Sequence, residues 1–165
     1  MTAPTPRVQS VGGRATHVSW PSRPASLVSV AALWQRERDV THFFLVCLAG
    51  AVGTGARFAL AAGVTALAGT RLPYGTILVN LLGSFAIGVV MQLAATGELV
   101  SPATRTILTT GFLGGFTTYS AFNHQTIAYL EQDLWDRALA NVAITLVGCL
   151  LAGVAGVAAG RRFAA

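Results

Sequence analysis

Charge is what this sequence has least of. Only 10% of its 165 residues are Asp, Glu, Lys or Arg, against about 25% in a soluble domain. So few charges cannot dress a water-facing surface. Lysine is absent: all 11 basic residues are Arg, against 6 acids, for a net charge of +5. Cysteine is nearly absent too. Cys47 and Cys149 lie inside apolar runs and form no CxxC pair, which excludes a disulfide framework or a zinc site. Of the three histidines, His17 and His42 lie in or near the N-terminal tail, so His124 has no second and third metal ligand. A pI near 10.2 would point to nucleic acid in a soluble protein. Here the arginines are dispersed, with no basic or aromatic platform, and nucleic acid is not an expected partner. What is present is apolar: 53% hydrophobic residues and 18 glycines, with a mean hydropathy of +0.62. Small residues let membrane helices approach closely. The composition is that of an integral membrane protein whose partner is the lipid bilayer.

Residues 1–40 differ in kind from the rest. They hold Pro4, Pro6, Pro21 and Pro24 and five arginines, with no acid before Glu37. The apolar stretch over residues 25–34 is too short to cross about 30 Å of hydrocarbon. A disordered basic tail ending in a short interfacial helix is expected here. A cleaved signal segment is the alternative, although no convincing cleavage site precedes the charged run over residues 35–39.

The remainder, residues 41–162, reads as four spans at about 43–68, 75–95, 103–130 and 138–160. Each is long enough to cross, and the connections are short enough to make neighbours antiparallel. Spans two and four share an echo. Asn80-Leu81-Leu82-Gly83 with Gly88 five further on resembles Thr145-Leu146-Val147-Gly148 with Gly153, the kind of internal repeat common in transport folds. With four spans both termini lie on one side, which collects Arg36, Arg38, Arg105, Arg161 and Arg162. The other side has only Arg71 and Arg137, the latter near Glu131, Asp133 and Asp136. The positive-inside rule places the termini in the cytoplasm.

Polar groups in lipid are expensive and need a partner or a pathway. Arg57, mid-way along span one, either locks helices together by capping carbonyls or supplies a positive potential for an anion. Asn80 either cross-links helices or donates to a dehydrating anion. Span three carries Gly111-Phe112-Leu113-Gly114-Gly115-Phe116-Thr117-Thr118-Tyr119-Ser120-Ala121-Phe122. Three glycines followed by Thr-Thr and Ser make a poor continuous helix, so a break at membrane depth is expected. Freed carbonyls there suit a small cation such as sodium, whereas freed N–H groups and hydroxyls suit an anion. Tyr119 and Phe122 share a helix face, where they either pack together or turn positive ring edges to an anion. Ser120 has no His–Asp constellation around it, so no hydrolase is indicated. Asn80, Thr117, Thr118, Ser120 and Thr145 read better as a path than as a reaction centre.

Three motifs carry a resemblance to a known family. They are Gly50-Ala51-Val52-Gly53 through Ala56-Arg57-Phe58; Pro73-Tyr74-Gly75-Thr76 through Val79-Asn80-Leu81-Leu82-Gly83-Ser84-Phe85 to Gly88; and the run from Thr109 through Phe122. Over residues 48–160 the sequence resembles the bacterial fluoride channels, Fluc or CrcB. The resemblance implies an all-α integral membrane protein that is not an enzyme. Four transmembrane helices with a broken third one would pair as an antiparallel, dual-topology dimer in the inner membrane. It implies fluoride pores lined by Asn80, Tyr119 and Phe122, with Ser120, Thr118 and Thr145 alongside. It also implies a sodium ion at the dimer interface, held by the backbone carbonyls of Gly114 and Thr117, and identifies Arg57 with the family's span-one Arg. Fluoride would then leave passively, which lowers its toxicity in the cytoplasm.

This sequence departs from the family pattern at three positions. Tyr119 replaces the first pore Phe, Ala121 replaces a usual Thr, and Gln125 stands where Glu is common. Together with the five-to-two Arg bias, these departures favour a heterodimer with an oppositely oriented homologue over a homodimer. Two other functions compete. A small multidrug-type exporter would need a membrane carboxylate, which the span interiors lack. A non-conducting structural subunit of a heterodimeric channel would not need the retained Asn80, Phe122 and glycine-threonine run.

Overall fold

The computed structural model describes residues 25–95 and 100–163, with side chains from residue 38 onward. Among the described residues, those from Arg36 onward belong to one compact unit. The tail expected over residues 1–40 lies outside the described residues as far as residue 24, and residues 25–40 are helical. All regular structure among the described residues is helical.

Helix α1 runs Ala25–Ala68 and α2 runs Tyr74–Ala95. Helix α1 stops at Gly69, whose φ of +79° suits a residue without Cβ, and its N–H closes the turn on the Thr65 carbonyl at 3.0 Å. Pro73, fixed in φ and lacking an N–H, precedes α2 and gives its carbonyl to Ile77 N–H. Ser101 caps the short α3 (Pro102–Thr106) by accepting from Thr104 N–H at 3.1 Å. A π-helical segment, Ile107–Leu113, follows, then α4 (Gly114–Phe116), two extended residues, and α5 (Tyr119–Glu131). Asp133, at φ +57°, turns the chain into α6 (Trp135–Phe163), whose last turn carries Arg161 and Arg162 against the helix dipole.

Three of these helical stretches are long and apolar enough to cross a membrane: Arg38–Ala68, Tyr74–Ala95 and Trp135–Phe163. The third span, expected over about 103–130 with a break in it, is not among these continuous helices. Residues 102–131 are divided among shorter elements, because their glycines and threonines leave side-chain partners competing for the backbone hydrogen bonds.

Glycines set the packing. On α6, Gly148 faces Leu81, Gly153 faces the Ser84 carbonyl, Gly156 the Phe85 carbonyl and Gly160 Gln92. The numbers rise together, so α2 and α6 run parallel. Helix α1 and the segment 103–116 are parallel by the same test: His42 Nε2 lies 3.2 Å from the Ala103 carbonyl, Gly111 faces Val46, and Gly115 faces Gly50. Helices α1 and α2 are antiparallel, with Gly75 packed on Ala61.

Among the described residues the buried hydrophobic core is small, comprising Ile77, Val79, Leu113, Phe116, Phe122 and Ala138. Phe43, Leu48, Phe58, Leu67, Leu150 and Val154 all face outward. In water that would be untenable; in hydrocarbon an outward Leu costs nothing.

A side chain at Gly156 would meet the backbone carbonyl of Phe85, which cannot yield. Gly156→Val is therefore expected to destabilise the α2–α6 pair by about 1–3 kcal/mol or more. Gly55→Ala, whose Cβ meets nothing within 4 Å, should be near neutral. Thermal midpoints of the two purified variants in one detergent check the contrast.

Candidate functional site

The site is organised by one amide. Asn80 is 8% exposed in the second turn of α2. Its Nδ2 donates to the Thr118 carbonyl at 3.0 Å, and Thr118 N–H donates to Asn80 Oδ1 at 2.8 Å. Both backbone groups of Thr118 are thus satisfied by a side chain, and no helical partner is needed. That is why Thr117 (ψ 160°) and Thr118 (φ −153°, ψ 114°) can be extended between α4 and α5. The Thr118 hydroxyl caps α5, accepting from Ala121 N–H at 3.2 Å, and lies 3.2 Å from the Ser120 hydroxyl.

The diversion leaves the carbonyls of Gly114 and Thr117, among others, short of their usual donors. In an unbroken helix Thr118 N–H would reach Gly114 and Ala121 N–H would reach Thr117; here they go to Asn80 and to the Thr118 hydroxyl. Gly115, by contrast, accepts from Arg57 Nε at 3.1 Å and from the Thr54 hydroxyl at 3.4 Å. Oxygen ligands of the Gly114 and Thr117 kind are what a hard cation takes. No group of three His, Cys, Asp or Glu side chains suited to a metal occurs among the described residues.

Beside this stretch lies an open groove of about 460 Å³. Asn80 and Ser84 line it from α2, Thr145 and Cys149 from α6, Gly114, Thr117 and Thr118 from the interruption, and Tyr119 and Phe122 from α5. The two rings sit 5.6 Å apart at 52°. Phe122 is buried, whereas Tyr119 is 75% exposed. Leu113, Leu146, Leu150 and Ile87 supply apolar walls, and no Asp, Glu, His or Arg is among the lining residues. The groove therefore offers hydroxyls, one amide, one thiol and ring edges, all uncharged. Such a lining can strip and replace part of an ion's water without trapping it by full charge.

Most of the residues singled out in the sequence meet here: Asn80, Gly114, Thr117, Thr118, Tyr119, Phe122 and Thr145. Ser120 does not line the groove and bonds to its rim at Thr118. Arg57 is also absent from the lining; its guanidinium caps the Gly115 carbonyl. Ser84 and Cys149 line the groove without having been anticipated. Each lies four residues after an anticipated one, Asn80 and Thr145, so helical spacing held the signal. Gln125 lines a second groove near Phe58 and Pro73, where its Nε2 donates to the Thr76 hydroxyl at 3.0 Å.

Arg57→Leu is expected to lower stability by about 1.5–3 kcal/mol, the usual contribution of a hydrogen bond to a charged group. Arg57→Lys should recover part of it, having a donor but no planar fork. Thermal midpoints in detergent read both effects.

Known proteins resemble this chain over most of its length. A protein from Sorangium cellulosum (strain So ce56) called "Fluoride-specific ion channel FluC" is 50% identical over 124 residues, 75% of this chain and 98% of that protein. One of the same name from Geobacter sulfurreducens is 43% identical over 123 residues, 74% of this chain and 99% of its own. Another, from Chloroflexus aurantiacus, is 35% identical over 124 residues, 75% of this chain and 98% of its own. The family described as "CrcB-like protein, Camphor Resistance (CrcB)" matches residues 44–157. That stretch takes in every groove residue from Asn80 to Leu150, and by that match the chain belongs to the CrcB-like family.

Proposed function

We propose that this chain is a subunit of a fluoride-selective channel of the cell (inner) membrane, through which cytoplasmic fluoride leaves passively. The observation that carries the reading is the uncharged groove beside Thr117 and Thr118, joined to the names of relatives up to 50% identical. Fluoride is small and tightly hydrated, so a pore must replace its water with donors. Hydroxyl hydrogens, the edge of the Asn80 amide and positive ring edges do so without a fixed cation that would hold the ion. No chemical step is involved, and the protein is not an enzyme.

In this reading residues 102–131 make the fourth crossing. Their course alongside α1, from Ala103 at His42 to Gly115 at Arg57 and Thr54, supports it. Two such subunits pair antiparallel, covering the exposed Tyr119 and Gly114 of each. A sodium ion sits where the pair meets, on the Gly114 and Thr117 carbonyls. The diversion of their helical donors supports that choice over Gly115, whose oxygen is already taken. Bound there, sodium would hold the two interruptions together by drawing their carbonyls to one point. The termini face the cytoplasm, with Arg36, Arg38, Arg105, Arg161 and Arg162. The same arginine bias favours pairing with an oppositely oriented homologue over a homodimer.

Fluoride efflux from liposomes holding this protein alone, followed with a fluoride electrode and with chloride as control, tests the proposal. Rapid, fluoride-selective release is the expected result for a self-sufficient pair. Release that appears only after co-reconstitution with an oppositely biased homologue establishes the heterodimer. No selective release in either case refutes the channel.

A further inference from the structure

The proposed conduction makes no use of Asn141, although Asn141 and Val79 are the largest fully buried side chains among the described residues. Asn141 lies on α6 and lines neither groove. Its Nδ2 donates to the Thr126 hydroxyl at 2.9 Å, and that hydroxyl donates to the Phe122 carbonyl at 2.8 Å. Among the described residues the Asn141–Thr126 bond is the one hydrogen bond that joins α5 to α6. As a means of holding two helices the amide is costly. Its Oδ1 is buried with no partner, and an orphaned acceptor costs more than a typical bond contributes. Stability alone would favour an apolar pair at these two positions. What a hydrogen bond adds is direction. It holds two atoms at about 3 Å and within a narrow angle, whereas apolar contact between helices in lipid fixes neither. The place of the bond gives that direction a use. Thr126 lies one helical turn beyond Phe122 on α5, and Asn141 one turn before Thr145 on α6. The two helices are joined by a short turn, in which Leu134 N–H donates to the Tyr129 carbonyl at 2.9 Å. Phe122 and Thr145 both line the groove, so the bond sits between the turn and the groove, one helical turn from where each helix supplies a wall.

We infer that Asn141 is a specificity-determining positioning residue: through Thr126 it fixes the ring of Phe122 relative to Thr145, and so sets the width of the groove that an ion must fit. The effect on ion flow rests on the channel reading, whereas the placement of the ring does not. Fluoride is the smaller halide, so slack between the two walls weakens the contacts that replace its water more than it hinders chloride. Selectivity is then the property that the bond protects.

The test uses the full chain and the paired substitution Asn141→Leu with Thr126→Val. Replacing both partners by apolar groups of similar shape strands nothing. The thermal midpoint in detergent should therefore stay within about 4 °C of the unaltered protein. The ratio of fluoride to chloride efflux from liposomes should nevertheless fall at least about fivefold, the size expected of one interhelical hydrogen bond in a membrane. Thr126→Ser, which keeps the hydroxyl, should retain the ratio. 4-Fluorophenylalanine placed at position 122 reports on the ring directly by fluorine NMR in fluoride-free detergent. One narrow resonance is expected in the otherwise unaltered protein and in Thr126→Ser, and a broadened or divided one in the paired variant. If the paired variant does not fold, Thr126→Val alone, which breaks the bond at a half-buried residue, carries the same expectations for the ratio and the resonance. An unchanged ratio, or an unchanged resonance, in a folded variant that lacks the bond overturns the inference. If the unaltered protein releases no fluoride, the channel reading fails, and the resonance at position 122 still decides the positioning.

Discussion

Phe122→Ile is expected to cut fluoride efflux from liposomes by at least about tenfold while leaving subunit pairing intact. Phe122 is 6% exposed and lines the groove beside Tyr119, ring to ring at 5.6 Å. Isoleucine fills much of the same volume with apolar atoms, so the helix contacts survive at a cost of about 1–2 kcal/mol. What it lacks is a ring edge, the positive rim of an aromatic quadrupole. An aromatic contact of roughly 1.5 kcal/mol corresponds to about tenfold in rate if it acts at the narrowest point of the path. Size-exclusion profiles separate a folding defect from a conduction defect. Unchanged efflux in well-folded Phe122→Ile protein would move the path away from this ring.

Asn80 should be still less replaceable, because it serves the backbone and the groove together. Asn80→Leu removes both bonds to Thr118, at 3.0 and 2.8 Å, and strands a carbonyl and an N–H. At about 1–3 kcal/mol each the loss is about 2–6 kcal/mol, enough to collapse the extended residues, and neither folded yield nor efflux should survive. Asn80→Asp tests the two roles apart. Its carboxylate still accepts from Thr118 N–H but faces the Thr118 carbonyl with no donor when ionised. It also sets a negative charge in a groove that carries none. Folded protein with efflux reduced at least about a hundredfold is the expected outcome. An Asn80→Asp channel that conducts normally would show that the amide is structural only.

Much of this molecule is legible in its residues, for identifiable reasons. The scarcity of charge and the length of the apolar runs require lipid-spanning helices whatever the tertiary contacts, since only such helices satisfy their own backbone in hydrocarbon. Helix α2, expected at 75–95, is found at Tyr74–Ala95, and the last span, expected at 138–160, runs Trp135–Phe163. Both overlap closely because Pro73, Asp133 and the terminal arginines are local signals. The glycine-threonine run over residues 111–118 showed where a helix would be hard to sustain, but not which backbone groups would be released.

That release depends on Asn80, which lies 38 residues away and has no sequence relation to Thr118. The sequence left Arg57 with two readings, an anion's attractor or a lock on a carbonyl. Its bond to Gly115 is a contact 58 residues distant that no periodicity could reveal. Ser120 illustrates the opposite difficulty. It belongs to the most distinctive motif of the chain, yet the helix that begins at Tyr119 rotates it off the groove. A motif conveys membership, whereas side-chain direction follows from the helix phase after the break.

The sequence by itself therefore determined the solvent, the helical class, the approximate spans and the residues from which a polar path could be made. These follow from composition and periodicity, which act residue by residue. Only the tertiary structure decided that Asn80 braces Thr118, that Gly114 and Thr117 rather than Gly115 are left with carbonyls to offer, and that Thr145 and Cys149 face one groove. Those outcomes come from the close parallel approach of α2 to α6 and of α1 to the segment 103–116. That approach sets, through backbone contacts across glycines, which distant polar groups come within about 3 Å of one another.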